Sequence, residues 1–398
     1  MHVVIVGGGF GGVKTALDLS KDRRFKITLI SDKDHFLYYP ALYGTATGGS
    51  HRESSALLSD IFRGKDNVKL VLDRVTSIDP GSKTVVGDNG TYHYDNAVLA
   101  LGVVTTFFGI PGLAENSFGI KSLAEVQELK DHLHNELIQD RHMDKNYIVI
   151  GGGATGVELS AALSNYLREI AEAHKVKHGK IRISLVEASA RVLPRMSEKA
   201  SKKVAARLKQ LDVTIRTNER VEAVSADDIT ISGKGVPSHT VIWTSGVTNH
   251  PFFKENEHAF EFAPNGRIVV DDQMLGAPHV YVIGDNAATE FTGLAQTALH
   301  DAAFISDHLK RIADKKPLKR YKAVKPPVVI PVGSNWAIVE WGRITYGGFL
   351  GSILRRIADI IGYHDVMPIG LALGAWRAQF INEEKCQICR VAQSKGTS

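Results

Sequence analysis

Residues 146–163 read NYIVIGGGATGVELSAAL. Tyr147–Ile150 is an apolar, largely β-branched run, the mark of a strand buried on both faces. Gly151, Gly153 and Gly156 follow in G-x-G-x-x-G spacing, and an alanine-rich helical pattern continues from them. Each glycine answers a separate steric demand. The first permits a tight turn, the second lets backbone approach a pyrophosphate, and the third lets helix and strand pack closely. The start of the helix then offers unpaired N–H groups and a positive dipole end to an anion. Glu187 stands just after the next predicted strand, Ile181–Val186. A carboxylate there accepts both ribose hydroxyls of NAD(H) and repels the extra phosphate of NADP(H). Gly151, Gly153, Gly156 and Glu187 are therefore the expected NADH contacts.

The chain contains this stretch twice. Residues 3–20, VVIVGGGFGGVKTALDLS, align with residues 147–164, YIVIGGGATGVELSAALS. Two dinucleotide folds point to two dinucleotides, a bound FAD and a visiting NAD(P)H. The first turn is formed by Gly7, Gly9 and Gly12, with Phe10 inside it. An acid is expected at the end of the second strand, Phe25–Ile30, but Ser31 holds that place and Asp32 follows. Either can bind a ribose hydroxyl, and Asp32 reads equally as a solvated turn residue. Between the repeats one position differs in charge: Lys14 corresponds to Glu158.

A chain of 398 residues has room for two or three domains with well-buried cores. Its 43% hydrophobic and 23% charged residues are ordinary for a globular protein. The only cysteines are Cys386 and Cys389. This argues against a disulfide-stapled secreted fold, and it removes any mechanism that needs a redox cysteine pair beside a flavin. Cys386-x-x-Cys389 is half a zinc site without visible partners, so two free thiols are expected and no metal. No signal peptide is visible. The longest nearly apolar run, Val366–Trp376, contains Pro368 and falls well short of the roughly 20 residues a spanning helix needs. A cytoplasmic protein without a transmembrane helix is the expectation.

Asp34–Gly49, DHFLYYPALYGTATGG, has no clean period; it either drapes over a flat ring system or packs as a loop. Asn67–Asp79 reads as a strand with Val75 in its middle, and Asp88-Asn89-Gly90 as a hairpin turn. Asn96–Gly102 is a buried strand ending in a glycine turn, and Phe107–Leu113, FFGIPGL, resembles a linker. Leu123–Gln139 is helical, the helix after Gly156 runs toward His174, and VIWTSGV closes the second repeat at Gly246. Arg267–Asp271 and His279–Ile283 read as strands, the latter leading into Gly284-Asp285. An acid at that strand end suits a ribityl or phosphate-bridging contact, or else caps the next helix. Leu294–Ile312 is helical and begins with Ala295-Gln296. The implied division is a discontinuous first nucleotide domain, 1–113 with 266–318, a second at 114–265, and a C-terminal region at 319–398.

Charge gathers at the start of that last region, where Lys310–Lys325 holds eight cations and one acid, Asp314. Aromatic residues are not interleaved there beyond Tyr321, so no nucleic-acid partner is expected. Phe349–Ile361 places Leu350, Ile353, Leu354, Ile357, Ile360 and Ile361 at helical spacing, with Arg355 and Arg356 on another face. Trp336, Trp341 and Trp376 lie nearby. Such a helix fits the surface of a bilayer; the alternatives are packing on the core or a homodimer contact.

These residues together resemble the type II NADH dehydrogenases, single-subunit NADH:quinone oxidoreductases of the two-dinucleotide flavoprotein superfamily. The resemblance rests on VIVGGGFGG, YPALYGTATG, VLALG followed by FGIPGL, IVIGGGATGVELSAAL, LVEASARVLPRM, VIGD and LAQTA. It implies an α/β fold of two Rossmann-like, glutathione-reductase-like domains for FAD and NADH, plus a membrane-associating C-terminal segment. FAD would meet Gly7, Gly9, Phe10, Gly11, Gly12, Ser31, Asp32, Val75, Gly102, Gly284, Asp285, Ala295 and Gln296. NADH would meet Gly151, Gly153, Gly156, Glu187 and Gly246. Glu158 would lie by flavin and nicotinamide and support hydride or proton transfer; its plainer reading is a helix-start acid favoured by the dipole. The family's quinone signature A-Q-x-A-x-Q departs here, because His300 replaces the last glutamine in Ala295-Gln296-Thr297-Ala298-Leu299-His300. Gln296 and His300 would meet the quinone.

The implied reaction passes the NADH hydride to FAD N5, then two electrons to a membrane quinone, without proton pumping. The implied location is the cytoplasmic face of the cell membrane, held peripherally, with a possible homodimer. Two other readings stay open: a soluble NADH-dependent flavin reductase using oxygen or a protein carrier, and an NADH-sensing interaction protein. Sulfide–quinone reductases share the architecture but need flavin-adjacent cysteines that this chain lacks.

Overall fold

In a computed structural model, residues 1–139, 144, 146–173, 175, 176 and 180–382 are described. Cys386, Cys389 and His174 lie outside the described residues. The fold is α/β, as expected, and is built on two parallel sheets. In the first sheet the strand order is Leu275–Ala277, Val280–Val282, Asn96–Leu99, His2–Val6, Lys26–Ser31 and Val68–Leu72. All neighbouring pairs are parallel except the first, an antiparallel pair at the edge. The second sheet runs Val213–Thr217, Ile183–Glu187, Tyr147–Ile150 and Thr240–Trp243, all parallel. Chain order reverses beside the first strand of each repeat, at His2–Val6 and at Tyr147–Ile150. These strands are apolar runs because helices and connections cover both faces: Val3, Val4, Ile5, Ile148 and Val149 are fully buried.

A short antiparallel ribbon, Val103–Thr105 with Val247–Asn249, forms the crossing between the two folds. Two expected strands come out differently. Asn67–Asp79 divides into Val68–Leu72 and Val75–Asp79, which joins a separate antiparallel meander. The break falls at Asp73, which is 4% exposed and takes hydrogen bonds from the Arg74 and Asn89 amides, the Asn89 side chain and the Tyr92 hydroxyl. That local satisfaction competes with a ladder. Arg267–Asp271 forms no strand; Ile268 makes isolated bridges to Phe262 and Ala287, and Leu275–Ala277 takes the sheet edge instead.

The C-terminal region contains an antiparallel sheet, Val328–Pro331, Ala337–Trp341 and Ile344–Gly348, then helices Phe349–Val366 and Ile369–Ala378. Pro368 precedes the second helix and ends the apolar run as one element. Tyr363, Val366, Met367, Ala372 and Ala375 from the helices join the core of the first fold, whereas Ile330, Val332 and Ile338 from the sheet join that of the second. Among the described residues no helix is long and apolar enough to cross a membrane.

Candidate functional site

Parallel strands bring the expected cofactor residues to one edge of each sheet. Gly7 follows His2–Val6, Ser31 ends Lys26–Ser31, Gly102 lies just beyond Asn96–Leu99, and Gly284 just beyond Val280–Val282. Gly7 turns at φ +113°, with its amide on the Ile30 carbonyl at 2.8 Å. A Cβ on Gly12 would lie 1.9 Å from the Gly7 oxygen, so strand and helix meet only through glycine. Gly9 faces open space and begins helix Phe10–Leu19 without a side-chain cap, leaving its first amides for an anion. Gly11 and Phe10 are buried in that first turn.

Ser31 is buried, and its hydroxyl accepts the Lys33 amide at 3.1 Å; Asp32 is exposed. Val75 is buried and opens the meander. Asn286, which no motif singled out, is fully buried and clasps Gly102 from both sides, accepting its amide at 2.8 Å and donating to its carbonyl at 2.5 Å. It also donates to Asn249 at 2.7 Å, which ties the Gly284 turn to the ribbon between the folds. Burial pushes the Asp285 carboxyl above its usual range, against Arg267, the Gly293 amide, Arg195 and Lys121.

Helix Ala295–Ala313 also starts without a side-chain cap, and Gln296 is exposed in its first turn. His300 Nε2 donates to the Lys322 carbonyl at 2.9 Å, since a carbonyl only accepts. Nδ1 is the ring nitrogen left for another partner. Next to it Asp301 accepts the Gly284 amide at 2.9 Å and the Tyr321 hydroxyl at 2.6 Å.

The second cradle repeats the first. Gly151 turns at φ +112° with its amide on the Val186 carbonyl at 2.8 Å, and a Cβ on Gly156 would meet the Gly151 oxygen at 1.9 Å. Gly153 faces open space. Glu187 ends its strand and accepts the Gly152 amide at 2.7 Å and the Ser189 amide at 2.6 Å. Two backbone amides thereby fix both carboxylate oxygens. Gly246 lies beyond Thr240–Trp243 at the same sheet edge.

Glu158 sits in the first turns of helix Ala154–Ala173 and is 8% exposed. Its partner, Arg355, comes from the C-terminal helix at 3.5 Å. Arg355 also donates to Asp359 at 2.9 Å, to the Val329 carbonyl at 3.0 Å and to the Pro40 carbonyl at 2.9 Å. Burial pushes the Glu158 carboxyl up to about 8; Arg355 opposes the rise and Asp359 adds to it. Asp359 is the nearer anion to the guanidinium, at 2.9 Å against 3.5 Å, so burial, the largest cause, sets the upward direction for Glu158. Burial thus favours the protonated form of Glu158, beside a cation that burial disfavours and Asp359 keeps charged. Close by, burial pushes the Glu53 carboxyl up to about 8, opposed by a hydrogen bond from Thr45 at 3.2 Å. Tyr38 stacks on Tyr363 at 4.1 Å, and the Tyr363 hydroxyl donates to the Glu53 carbonyl at 2.6 Å. The Asp34–Gly49 stretch is thus a packed joint between the first fold and the C-terminal helix. Asp359, Glu53 and Asn286 carried no signal in the sequence, and Arg355 only that of an arginine on the face away from an apolar helical stripe.

The pattern of the pyridine nucleotide-disulphide oxidoreductase family matches residues 1–302. No cysteine falls within them; the chain's two, Cys386 and Cys389, lie beyond the matched residues. The type II NADH:quinone oxidoreductase Ndh of Mycobacterium tuberculosis is 29% identical over 97% of this chain and 89% of that protein. The type II NADH:quinone oxidoreductase of Staphylococcus aureus is 26% identical over 93% of this chain and 97% of that protein. Among solved structures, NDH2 from Plasmodium falciparum in complex with NADH has the same fold, with TM-score 0.85 at 17% identity over 95% of this chain and 97% of that one. The sulfide:quinone oxidoreductase of Aquifex aeolicus also shares it, with TM-score 0.75 at 21% identity over 90% and 89%. With three quarters of its length matched, the chain belongs to the pyridine nucleotide-disulphide oxidoreductase family.

Proposed function

We propose that this chain is an FAD-dependent NADH:quinone oxidoreductase that works at a membrane surface without pumping protons. The observation that carries the reading is the pair of glycine cradles, each at the point where its sheet reverses order, with a proton-holding Glu158 buried where the second fold meets the C-terminal helix. The names borne by relatives matched over nearly their whole length support it. The first cradle fits FAD: Gly9 and Gly102 face open space, the helix start is uncapped, and Asp285 stands at the strand edge. Gly7, Gly9, Phe10, Gly11 and Gly12 would hold the pyrophosphate side, Ser31 with Asp32 the adenosine ribose, and Val75, Gly102, Gly284, Asp285, Ala295 and Gln296 the remainder. FAD there would supply the hydride acceptor and the two-electron store.

The other work falls to the chain's own residues. Gly151, Gly153 and Gly156 receive the NADH pyrophosphate, Glu187 its adenosine ribose, and Gly246 admits the other half. Glu158 holds a proton that it can give to a reduced acceptor. Gln296 and the Nδ1 edge of His300 are the proposed quinone contacts. On this reading, 1–113 with 266–318 bind FAD, 114–265 bind NADH, and 319–398 dock on the cytoplasmic face of the membrane or pair with a second copy. Anaerobic stopped-flow absorbance tests it. NADH should bleach the oxidised-flavin band of the loaded protein, and a short-chain quinone should restore it rapidly. Bleaching that only oxygen or a protein carrier reverses would favour the soluble flavin reductase. A tightly bound NADH without turnover would favour the sensor.

A further inference from the structure

Phe108 is 66% exposed and left-handed at φ +52°, followed by Gly109 at φ +68°. A bulky side chain gains nothing in the left-handed region, and no core packing offsets the strain here. Its place is specific. Phe108 follows the ribbon strand Val103–Thr105, and its amide donates to Thr106 Oγ1 at 3.3 Å. Its ring stands edge-on to Trp243 at 6.1 Å, while Phe107 stacks on Trp243 at 6.3 Å. Trp243 is pinned by its indole N–H to the Thr106 carbonyl at 3.1 Å. Opposite Phe108 is Gly246, where a Cβ would lie 2.5 Å from the Thr106 oxygen and 2.7 Å from the Phe108 ring.

In the second sheet the order reverses between Tyr147–Ile150 and Thr240–Trp243. A dinucleotide crosses such a fold at that point, beyond the strand C-termini. Glu187 marks the adenosine side, so the other half passes beyond the end of Thr240–Trp243, where Phe108 stands over Gly246. We propose that Phe108 is the aromatic platform for the nicotinamide half of NADH, a positioning contact held in place by the ribbon that joins the two folds. The inference rests on the second fold being the NADH site.

The flavin-loaded protein and its Phe108 variants are compared by calorimetric titration with NAD and by steady-state kinetics. Loss of one stacking face should raise Kd for NAD and KM for NADH by about tenfold in Phe108→Ala, leave KM for a short-chain quinone unchanged, and be largely reversed in Phe108→Tyr. Phe108→Gly should also lose affinity while melting at a higher temperature, because glycine accepts the left-handed backbone. A residue that only packs the ribbon would lower the melting temperature and leave Kd for NAD alone. That result, or a shift confined to quinone, overturns the proposal. If the wild-type protein binds no NAD(H), the function on which the inference rests fails with it; if wild type and Phe108→Ala bind equally, only the inference fails.

Discussion

Glu53 shows how a single buried acid sets a pH dependence. Its carboxyl has moved from the ordinary 4.5 to about 8, chiefly by burial. In the unfolded chain it ionises near its ordinary value, so between about pH 4.5 and 8 the folded state binds the extra proton. Stability then falls as pH rises through that window, by at most about 1.4 kcal/mol per pH unit for the group. Glu53→Gln mimics the protonated form. Urea midpoints at pH 5 and 8 should therefore differ less in the variant than in wild type; an equal difference would place the cause elsewhere. Glu158 shares the direction, but its partner adds a second consequence. Arg355→Met leaves Glu158 and Asp359 buried without their cation. Removing one partner of a buried pair costs about 3–5 kcal/mol, which thermal or urea unfolding would reveal, whereas Arg355→Lys should recover part of the loss.

Elements account for what was legible beforehand. The two strand–glycine–helix units, and Glu187 after its strand, are local patterns whose cause lies within some forty residues, so spacing alone identified them. Glycine contacts make this testable element by element. Gly12→Ala and Gly156→Ala each put a Cβ 1.9 Å from the oxygen of the turn's first glycine. The first should lower flavin content on purification, and the second should leave the flavin bound while NADH no longer bleaches it. The same loss in both variants would deny the two cradles separate ligands. Illegible features have distant causes. The break at Asp73 depends on Asn89 and Tyr92, and the partners of Arg355 lie as far off as Pro40 and Glu158. Asn286 carries no motif, and only the folded chain brings Gly102 and Asn249 to it.

At the scale of the whole molecule, the C-terminal region has no core of its own among the described residues: its helices complete the first core and its sheet the second. Helix Phe349–Val366 is consequently inverted. Stepping about 100° per residue, Phe349, Leu350, Ile353, Leu354, Ile357 and Ile361 fall within about 140° of its circumference, and all six are exposed. Arg355, Asp359 and Tyr363 take the opposite side and face the protein. An outward apolar stripe of this size, continued by exposed Ile369, Leu373 and Phe380, needs an apolar partner. A bilayer surface supplies one, and the inward ionic face then ties the docked helix to Glu158. Ile353→Glu/Ile357→Glu replaces two buried-on-docking side chains with charges. Each isoleucine is worth about 1.5–3 kcal/mol when removed from water, so the double variant should lose vesicle co-sedimentation by well over tenfold. Because both side chains point away from Arg355, bleaching of the flavin by NADH should proceed at the wild-type rate. Undiminished sedimentation would remove this helix from the membrane contact, and a dimer seen in wild type but not in the variant would assign the stripe to a second copy instead.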